Sequence, residues 1–375
     1  MLAKNIRGLL VRLPLSQKII NWFCDKVWTV IDSQQQIFTI QLDITNACNL
    51  RCVHCYCAHH KNEGALNYQQ WCAVLDQYEK LLIKLHMLPR IVICGGEPLL
   101  CTFLFPLLTE IRRRFPNSEI YLLSNGTLLT QDIAYNLSQC GIKLQISLDG
   151  PDASRNDLIR GMGSFSKTMQ GCSFLKKANS HFTHLAVLSY RTAPWIEDFF
   201  QTAISTGAKE MNFIRLVMEG HAKQLYIKGE DAPLHGIDLK HAYQRILFSS
   251  RFTNTTTSTH GALWHLIEGG LGTPNNLGIA GVVVGYKGEV KVSSRTSLVL
   301  GNVFKEGLEK LFLFHPIMQK LQRGEIEICH ACKHFGKCRG DRNSSFATYG
   351  HFFGPDPDCW ILPLSTMSSL QDASP

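Results

Sequence analysis

Between residues 37 and about 225, short apolar runs alternate with longer stretches whose apolar positions recur every three to four residues. The short runs, at 38–44, 90–94, 119–123, 143–148, 184–189 and 210–217, read as strands. Several are continuously apolar, as strands of a buried parallel sheet are. The longer stretches, at 68–85, 103–115, 131–140, 164–178 and 195–206, read as helices. Thr130 is placed to cap the third of these and Gly141 to stop it. Regular strand–helix alternation predicts an α/β fold with a parallel sheet whose working loops lie at the carboxyl ends of its strands. Six units make a partial (β/α)6 TIM-like barrel, open on one side.

The flanking pattern differs. Within residues 1–36, Ile20, Phe23, Val27 and Ile31 recur at helical spacing behind Ser16, a possible N-cap, which predicts a helical segment packed on the barrel. A helix lying on a membrane surface is the alternative. Residues 226–278 form a less regular connecting region, with a helix at 238–248, a Thr/Ser/Asn-rich loop at 251–260 and breakers at Gly269-Gly270 and Gly272-Thr-Pro274. Residues 279–375 form a small C-terminal domain. It opens with a hairpin, 281–285 and 289–293, across Tyr286-Lys-Gly288. Residues 302–322 read as helix interrupted at Pro316, and the Ser-rich tail after 360 as frayed.

Composition narrows the class. A chain of 375 residues, 45% apolar, can bury a large core. No apolar run is long enough to span a membrane. Lys4, Arg7, Arg12 and Lys18 interrupt the N-terminal segment, so no secretory signal is expected and a cytoplasmic location is. Fourteen cysteines in such a chain predict metal ligation or reduced thiols rather than a disulfide framework. The net charge of +8 is dispersed, so neither nucleic acid nor membrane contact is expected.

The cysteine spacing carries the chemistry. Cys48, Cys52 and Cys55 follow the first strand in Cys-Asn-Leu-Arg-Cys-Val-His-Cys. Four thiolates saturate a cubane iron–sulfur cluster, whereas three leave one iron open, and an open metal position is where reaction occurs. A structural zinc site, with His54, His59 or His60 as fourth ligand, is the other reading. The second strand ends in Cys94-Gly95-Gly96-Glu97-Pro98, where paired glycines let backbone approach a ligand closely. The third ends in Ser124-Asn125-Gly126-Thr127 and the fourth in Ser147-Leu148-Asp149-Gly150. These place small polar groups at strand carboxyl ends, although Asn-Gly and Asp-Gly also make ordinary turns. Cys329, Cys332, Cys338 and Cys359 form a second set, for which a zinc knuckle is the alternative. The scattered cysteines, such as Cys72 and Cys172, read as buried thiols. His221 follows the sixth strand and is a candidate lining residue for a substrate cavity.

The Cx3Cx2C signature together with the Gly-Gly-Glu-Pro turn resembles the radical S-adenosylmethionine (SAM) superfamily. The resemblance implies that a 4Fe–4S cluster on Cys48, Cys52 and Cys55 chelates SAM. Its reduced form would cleave SAM to a 5′-deoxyadenosyl radical. By the same resemblance Gly95, Gly96 and Glu97 surround the SAM amino group, and Asn125, Ser147 and Asp149 bind its ribose and methionine parts. The stretch Asp157-Leu-Ile-Arg160-Gly161-Met-Gly163-Ser-Phe165 resembles that of SPASM-type members, which carry an extra C-terminal iron–sulfur region. There Arg160 would order the SAM site. The C-terminal spacing resembles that region too, but Asp341 stands where the family has a further cysteine, and Val292-Ser293-Ser294 where it has others. One auxiliary 4Fe–4S cluster, on Cys329, Cys332, Cys338 and Cys359, is therefore expected, with Asp341 either a ligand or paired with Arg339 or Arg342. The resemblance further implies a maturase acting on a ribosomally made peptide or protein side chain. A separate peptide-recognition protein and a low-potential donor, flavodoxin or ferredoxin, are possible partners. A small-molecule or haem-pathway substrate and a non-catalytic zinc scaffold are the alternatives.

Overall fold

The computed structural model describes residues 37–57, 60–259, 261–272 and 278–362. The predicted helix through Ile20 and Ile31, and the end of the Ser-rich tail, lie outside the described residues, as do His59 and Pro274.

Six parallel strands follow one another in sequence order: β1 (Ile37–Thr45), β2 (Leu88–Gly95), β3 (Glu119–Ser124), β4 (Lys143–Ser147), β5 (Phe182–Leu188) and β6 (Met211–Arg215). On the other side of β1 lies β7 (Gly281–Val284), also parallel to it, followed by antiparallel β8 (Glu289–Lys291) and β9 (Gly301–Asn302). The hairpin foreseen at 281–293 thus continues the barrel sheet. β1 becomes an interior strand, with the cysteine loop leaving its carboxyl end.

Five helices stand where the spacing places them: α1 (Tyr68–Leu85), α2 (Leu104–Arg114), α3 (Gln131–Gln139), α5 (Ser164–Lys177) and α6 (Ile196–Thr206). Thr130 caps α3 by accepting from Ile133 N at 3.2 Å, and Gly141 takes a φ of +63° just past its end. Two further helices, α4 (Ala153–Arg160) and α7 (His221–Ile227), lie in stretches read only as motif or loop. Both are too short for a clear amphipathic period. The helix foreseen at 238–248 extends to α8 (Gly236–Thr253), into the stretch read as loop, and ends on Asn254 in the left-handed conformation. The 302–322 stretch divides at His315 into α9 (Leu308–Phe314) and α10 (Pro316–Arg323), as Pro316 requires.

The strands are not buried equally on both faces. In β1, Phe38, Ile40, Leu42 and Ile44 are at most 1% exposed and join one core cluster with Trp71, Val74, Leu75 and Tyr78 of α1. Thr39, Gln41 and Asp43 alternate with them on the half-buried opposite face. This alternation is what a partial barrel needs, since one face of the sheet meets helices and the other lines an interior. A second cluster joins Ala186, Leu188 and Met211 to Phe199 and Phe200 of α6, Ile246 of α8, and Trp264. Trp264 stacks on Tyr243 at 3.9 Å and packs in the same cluster as Cys338, which anchors the C-terminal region to the barrel.

Candidate active site

The cysteine loop is fastened from three directions. Beneath it, the β1–β2 ladder continues past the strands: Gly96 N donates to Thr45 O (2.7 Å) and Glu97 N to Ala47 O (2.8 Å). The approach is so close that a Cβ on Gly96 would lie 2.2 Å from Ala47 O, and one on Gly95 2.1 Å from Thr45 O. Gly95 also has a φ of +133°, which side-chain-bearing residues rarely adopt. The paired glycines let the backbone just ahead of Cys48 lie against the end of β2.

Glu97 is fully buried and its carboxylate is committed to the β3 loop. It accepts from Ser124 Oγ (2.8 Å), Asn125 N (2.8 Å) and Leu99 N (3.1 Å). Burial pushes its carboxyl pKa up, against the pull of these donors. The loop it holds presents Asn125 to the cysteines. Asn125 Nδ2 donates to Asn49 Oδ1 (3.0 Å) and stands 4.0 Å from Cys48 Sγ, while Asn49 Nδ2 reaches Thr127 Oγ1 (2.8 Å). Ser147 ends β4, is half-buried and pairs in the ladder with Leu185.

On the third side, α4 holds the loop. Val53 N donates to Ile159 O (2.9 Å). Arg160, next in the chain, is no surface residue: it is 8% exposed and its Nη2 lies 2.6 Å from Asp149 Oδ2. The same oxygen meets His54 Nε2 at 3.1 Å, and Asp149 Oδ1 accepts from Val187 N at 2.8 Å. Burial alone would raise the Asp149 carboxyl pKa, but Arg160 and His54 outweigh it and hold the group well below the ordinary value. The rest of the 157–165 motif builds this corner. Asp157 accepts from Gly163 N (2.7 Å) and Phe165 N (2.8 Å), turning the chain from α4 into α5. Asn156 carries Asp149 N on its carbonyl oxygen (3.1 Å).

The three thiols therefore sit on one loop, partly exposed and unbridged, at the carboxyl end of β1. Hydrogen bonding with Cys57 lowers Cys55 to about 6, whereas burial raises Cys52 to about 11. The donor set fits a cluster with an open iron: soft ligands, bare backbone at Gly95 and Gly96, and two buried polar atoms, His54 Nδ1 and Arg160 Nε, without a hydrogen-bond partner. Among the described residues no three His, Cys, Asp or Glu side chains converge as a single metal ion requires. His221 opens α7 and donates its backbone N–H to Cys55 O (2.8 Å). A Cβ on Gly220 would fall 2.6 Å from that same oxygen, so this turn also packs on the cysteine loop.

The C-terminal cysteines lie on a separate scaffold. Cys332 N donates to Cys329 O (3.0 Å), Gly340 N approaches Cys338 Sγ (3.4 Å) and Cys359 N donates to Asp356 O (3.2 Å). Burial raises Cys338 to about 11 and Cys359 to about 12, and the thiolate charges of Cys329, Cys338 and Cys359 act on one another. Asp341 pairs with neither Arg339 nor Arg342. It caps α11 (Arg342–Tyr349), accepting from Asn343 N (2.8 Å), and its other oxygen lies 3.1 Å from Arg215 Nη2. Arg215, at the end of β6, also binds Asp356 (2.9 Å) and Asp358 (3.1 Å). Sequence reasoning overlooked Arg215. The available signal was a cation ending the sixth strand and an Asp-Pro-Asp-Cys run needing one.

Residues 42–203 match the Radical SAM superfamily. The chain is 25% identical over 361 residues to an AdoMet-dependent heme synthase of Oleidesulfovibrio alaskensis, covering 89% of this chain and 90% of that protein. It is 26% identical over 341 residues to the mycofactocin maturase MftC of Mycolicibacterium smegmatis, covering 86% and 83%. Among solved structures it resembles anSMEcpe with bound AdoMet and Cp18Cys peptide, at a TM-score of 0.64 and 21% identity over 90% of this chain and 96% of that one. That likeness shows the shared partial-barrel fold. Residues 42–203, which carry the cysteine loop and its glycine cradle, thus match a radical SAM domain, and these matches together indicate an enzyme.

Proposed function

We propose that this chain reductively cleaves SAM on a 4Fe–4S cluster held by Cys48, Cys52 and Cys55, and modifies a ribosomally made peptide or protein side chain. The observation that carries the reading is the Cys48–Cys55 loop clamped between the Gly95–Gly96 backbone and α4 inside a radical SAM domain. When bound, the cluster supplies the electron that breaks SAM and so the radical that takes hydrogen from substrate. Gly95 and Gly96 offer backbone without side chains, and Asn125 and Ser147 stand at neighbouring strand ends. Glu97 acts as a positioning residue through the Asn125 loop. Arg160 and His54 are fixed by Asp149 and keep Nε and Nδ1 free to meet a bound polar ligand. Burial of Asp149 and Arg160 keeps this corner dry, which strengthens every charge interaction in it.

One auxiliary 4Fe–4S cluster on Cys329, Cys332, Cys338 and Cys359 completes the site. Asp341 is engaged by Arg215 and by the α11 amides, which supports the reading that it ligates no iron. A low-potential donor such as flavodoxin or ferredoxin would reduce the protein. The peptide class is supported by the likeness to MftC and by the peptide bound in anSMEcpe. A haem-pathway substrate is the second reading, carried by the match to the heme synthase over 89% of the chain. Anaerobic incubation with SAM, reductant and either the product of a short neighbouring reading frame or a metalloporphyrin precursor, read by mass spectrometry, separates the two. 5′-Deoxyadenosine with a mass change confined to the peptide supports the first. Absence of 5′-deoxyadenosine under both conditions refutes the SAM chemistry.

A further inference from the structure

The C-terminal cysteine region holds a buried cation, Arg342, with no carboxylate ion pair among the described residues. Arg342 is 1% exposed. Its Nη1 donates to the carbonyls of Phe352 (2.6 Å) and Gly354 (2.7 Å), and its Nε lies 3.5 Å from Gly340 O. Its Nη2 is buried without a hydrogen-bond partner. Gly340 leaves room for that nitrogen, since a Cβ there would stand 2.3 Å from it. The carboxylates in this region are already taken: Asp341 and Asp356 by Arg215, and Asp358 by Arg215 and His235. Among the described residues no ion pair joins Arg342 to a carboxylate. A buried guanidinium without a counter-charge is strongly unfavourable. Burial opposes its charge, and the Cys329 thiolate is first among the charges that favour it, followed by Asp356, Asp341 and the Cys338 thiolate; of these only the sulfurs are not already held by Arg215. Arg342 in turn favours the Cys329 thiolate, against burial.

We propose that Arg342 is the counter-ion of the auxiliary cluster, with Nη2 donating a hydrogen bond to one of its sulfurs and raising its reduction potential. The inference rests on the reading of Cys329, Cys332, Cys338 and Cys359 as ligands of a 4Fe–4S cluster. Reduction adds one electron to an assembly that is already anionic, and no bond forms or breaks. A fixed cation and a hydrogen bond to sulfur both favour the reduced state. Arg342 is thus a positioning and tuning residue, distinct from the ligands.

The test uses the full chain with Cys48, Cys52 and Cys55 replaced by Ala, so that only the C-terminal set can hold iron. Reconstitution should give about four irons per chain, and potentiometry followed by electron paramagnetic resonance gives the midpoint. Arg342→Gln should lower the reduced-to-oxidised ratio at a fixed potential about tenfold, a midpoint shift of about 59 mV for one electron. Arg342→Lys, which keeps the charge and loses the fork, should fall between. In the unsubstituted protein labelled with 15N-arginine, the reduced cluster should show a nitrogen coupling that Arg342→Lys abolishes. An unchanged midpoint in Arg342→Gln with iron retained overturns the proposal and leaves the cluster standing. If Arg342→Gln cannot hold iron, the labelled native protein decides, and absence of the coupling overturns it. If the triple-Ala chain with Arg342 intact binds no iron, the auxiliary-cluster reading fails, and the tuning role with it.

Discussion

Gly96→Ala perturbs the site by one methyl group. Gly96 has no positive φ, so the substitution adds volume without backbone strain. The new Cβ would meet Ala47 O at 2.2 Å, Ala47 C at 2.6 Å and Asn46 O at 2.7 Å, where ordinary contact begins at 3.4 Å. All three atoms are backbone, so no rotamer change relieves them. Residues 46 and 47 must retreat by about 1 Å, and Cys48 follows directly in the chain. Overpacking of this kind costs about 1–3 kcal/mol. A reacting group misplaced by about 1 Å loses about 10²-fold in rate. We expect a fold that survives, with a urea midpoint lowered in proportion, substoichiometric iron at the N-terminal cysteines, and 5′-deoxyadenosine formation down about a hundredfold. Gly336→Ala, where no atom lies within 4 Å of the added Cβ, is the control and should change little. Gly96→Ala protein with full iron and unreduced SAM cleavage would refute the claim that this contact sets the position of the cysteine loop.

Other consequences follow from the ion pairs. Arg160→Met leaves Asp149 with His54 as its one ion-pair partner among the described residues and should destabilise the protein by about 3–5 kcal/mol, read by urea unfolding, while weakening SAM binding in equilibrium dialysis. Because the folded-state pKa of Asp149 is depressed, its ion pair stabilises above the unfolded carboxyl value of about 4. That contribution is lost as pH falls below it, so the stability gap between the parent and Asp149→Asn should narrow on acidification. Arg215→Met removes the cation shared by Asp341, Asp356 and Asp358 and should cost about 3–5 kcal/mol; a loss under 1 kcal/mol in urea unfolding would show that their other partners, the α11 amides and His235, suffice. Asp341→Cys should leave the iron count at about eight, since Val292-Ser293-Ser294 offers no companion thiol; a count near twelve by iron assay would contradict this.

Much of the fold was legible because the signals are local. Strand–helix alternation, the Thr130 cap and the stop at Gly141 depend on neighbours in sequence, and all reappear in the structure. The cysteine spacing and the Gly-Gly-Glu-Pro turn likewise encode chemistry within a few residues. The sequence could not decide relations between distant segments. It left β7 as part of a C-terminal hairpin, whereas the ladder from Thr39 to Leu42 recruits it beside β1. It offered Arg339 and Arg342 as partners for Asp341 because they are near in the chain. Folding brings Arg215 there from more than a hundred residues away. It gave Arg160 a place only through the resemblance, and folding buries its guanidinium beside Asp149, a partner eleven residues back in the chain. Patterns of polarity act through the helix and strand periods and are written in order along the chain. A buried charge is answered by whatever opposite charge the packed elements carry to it, and only the tertiary structure settles which one that is.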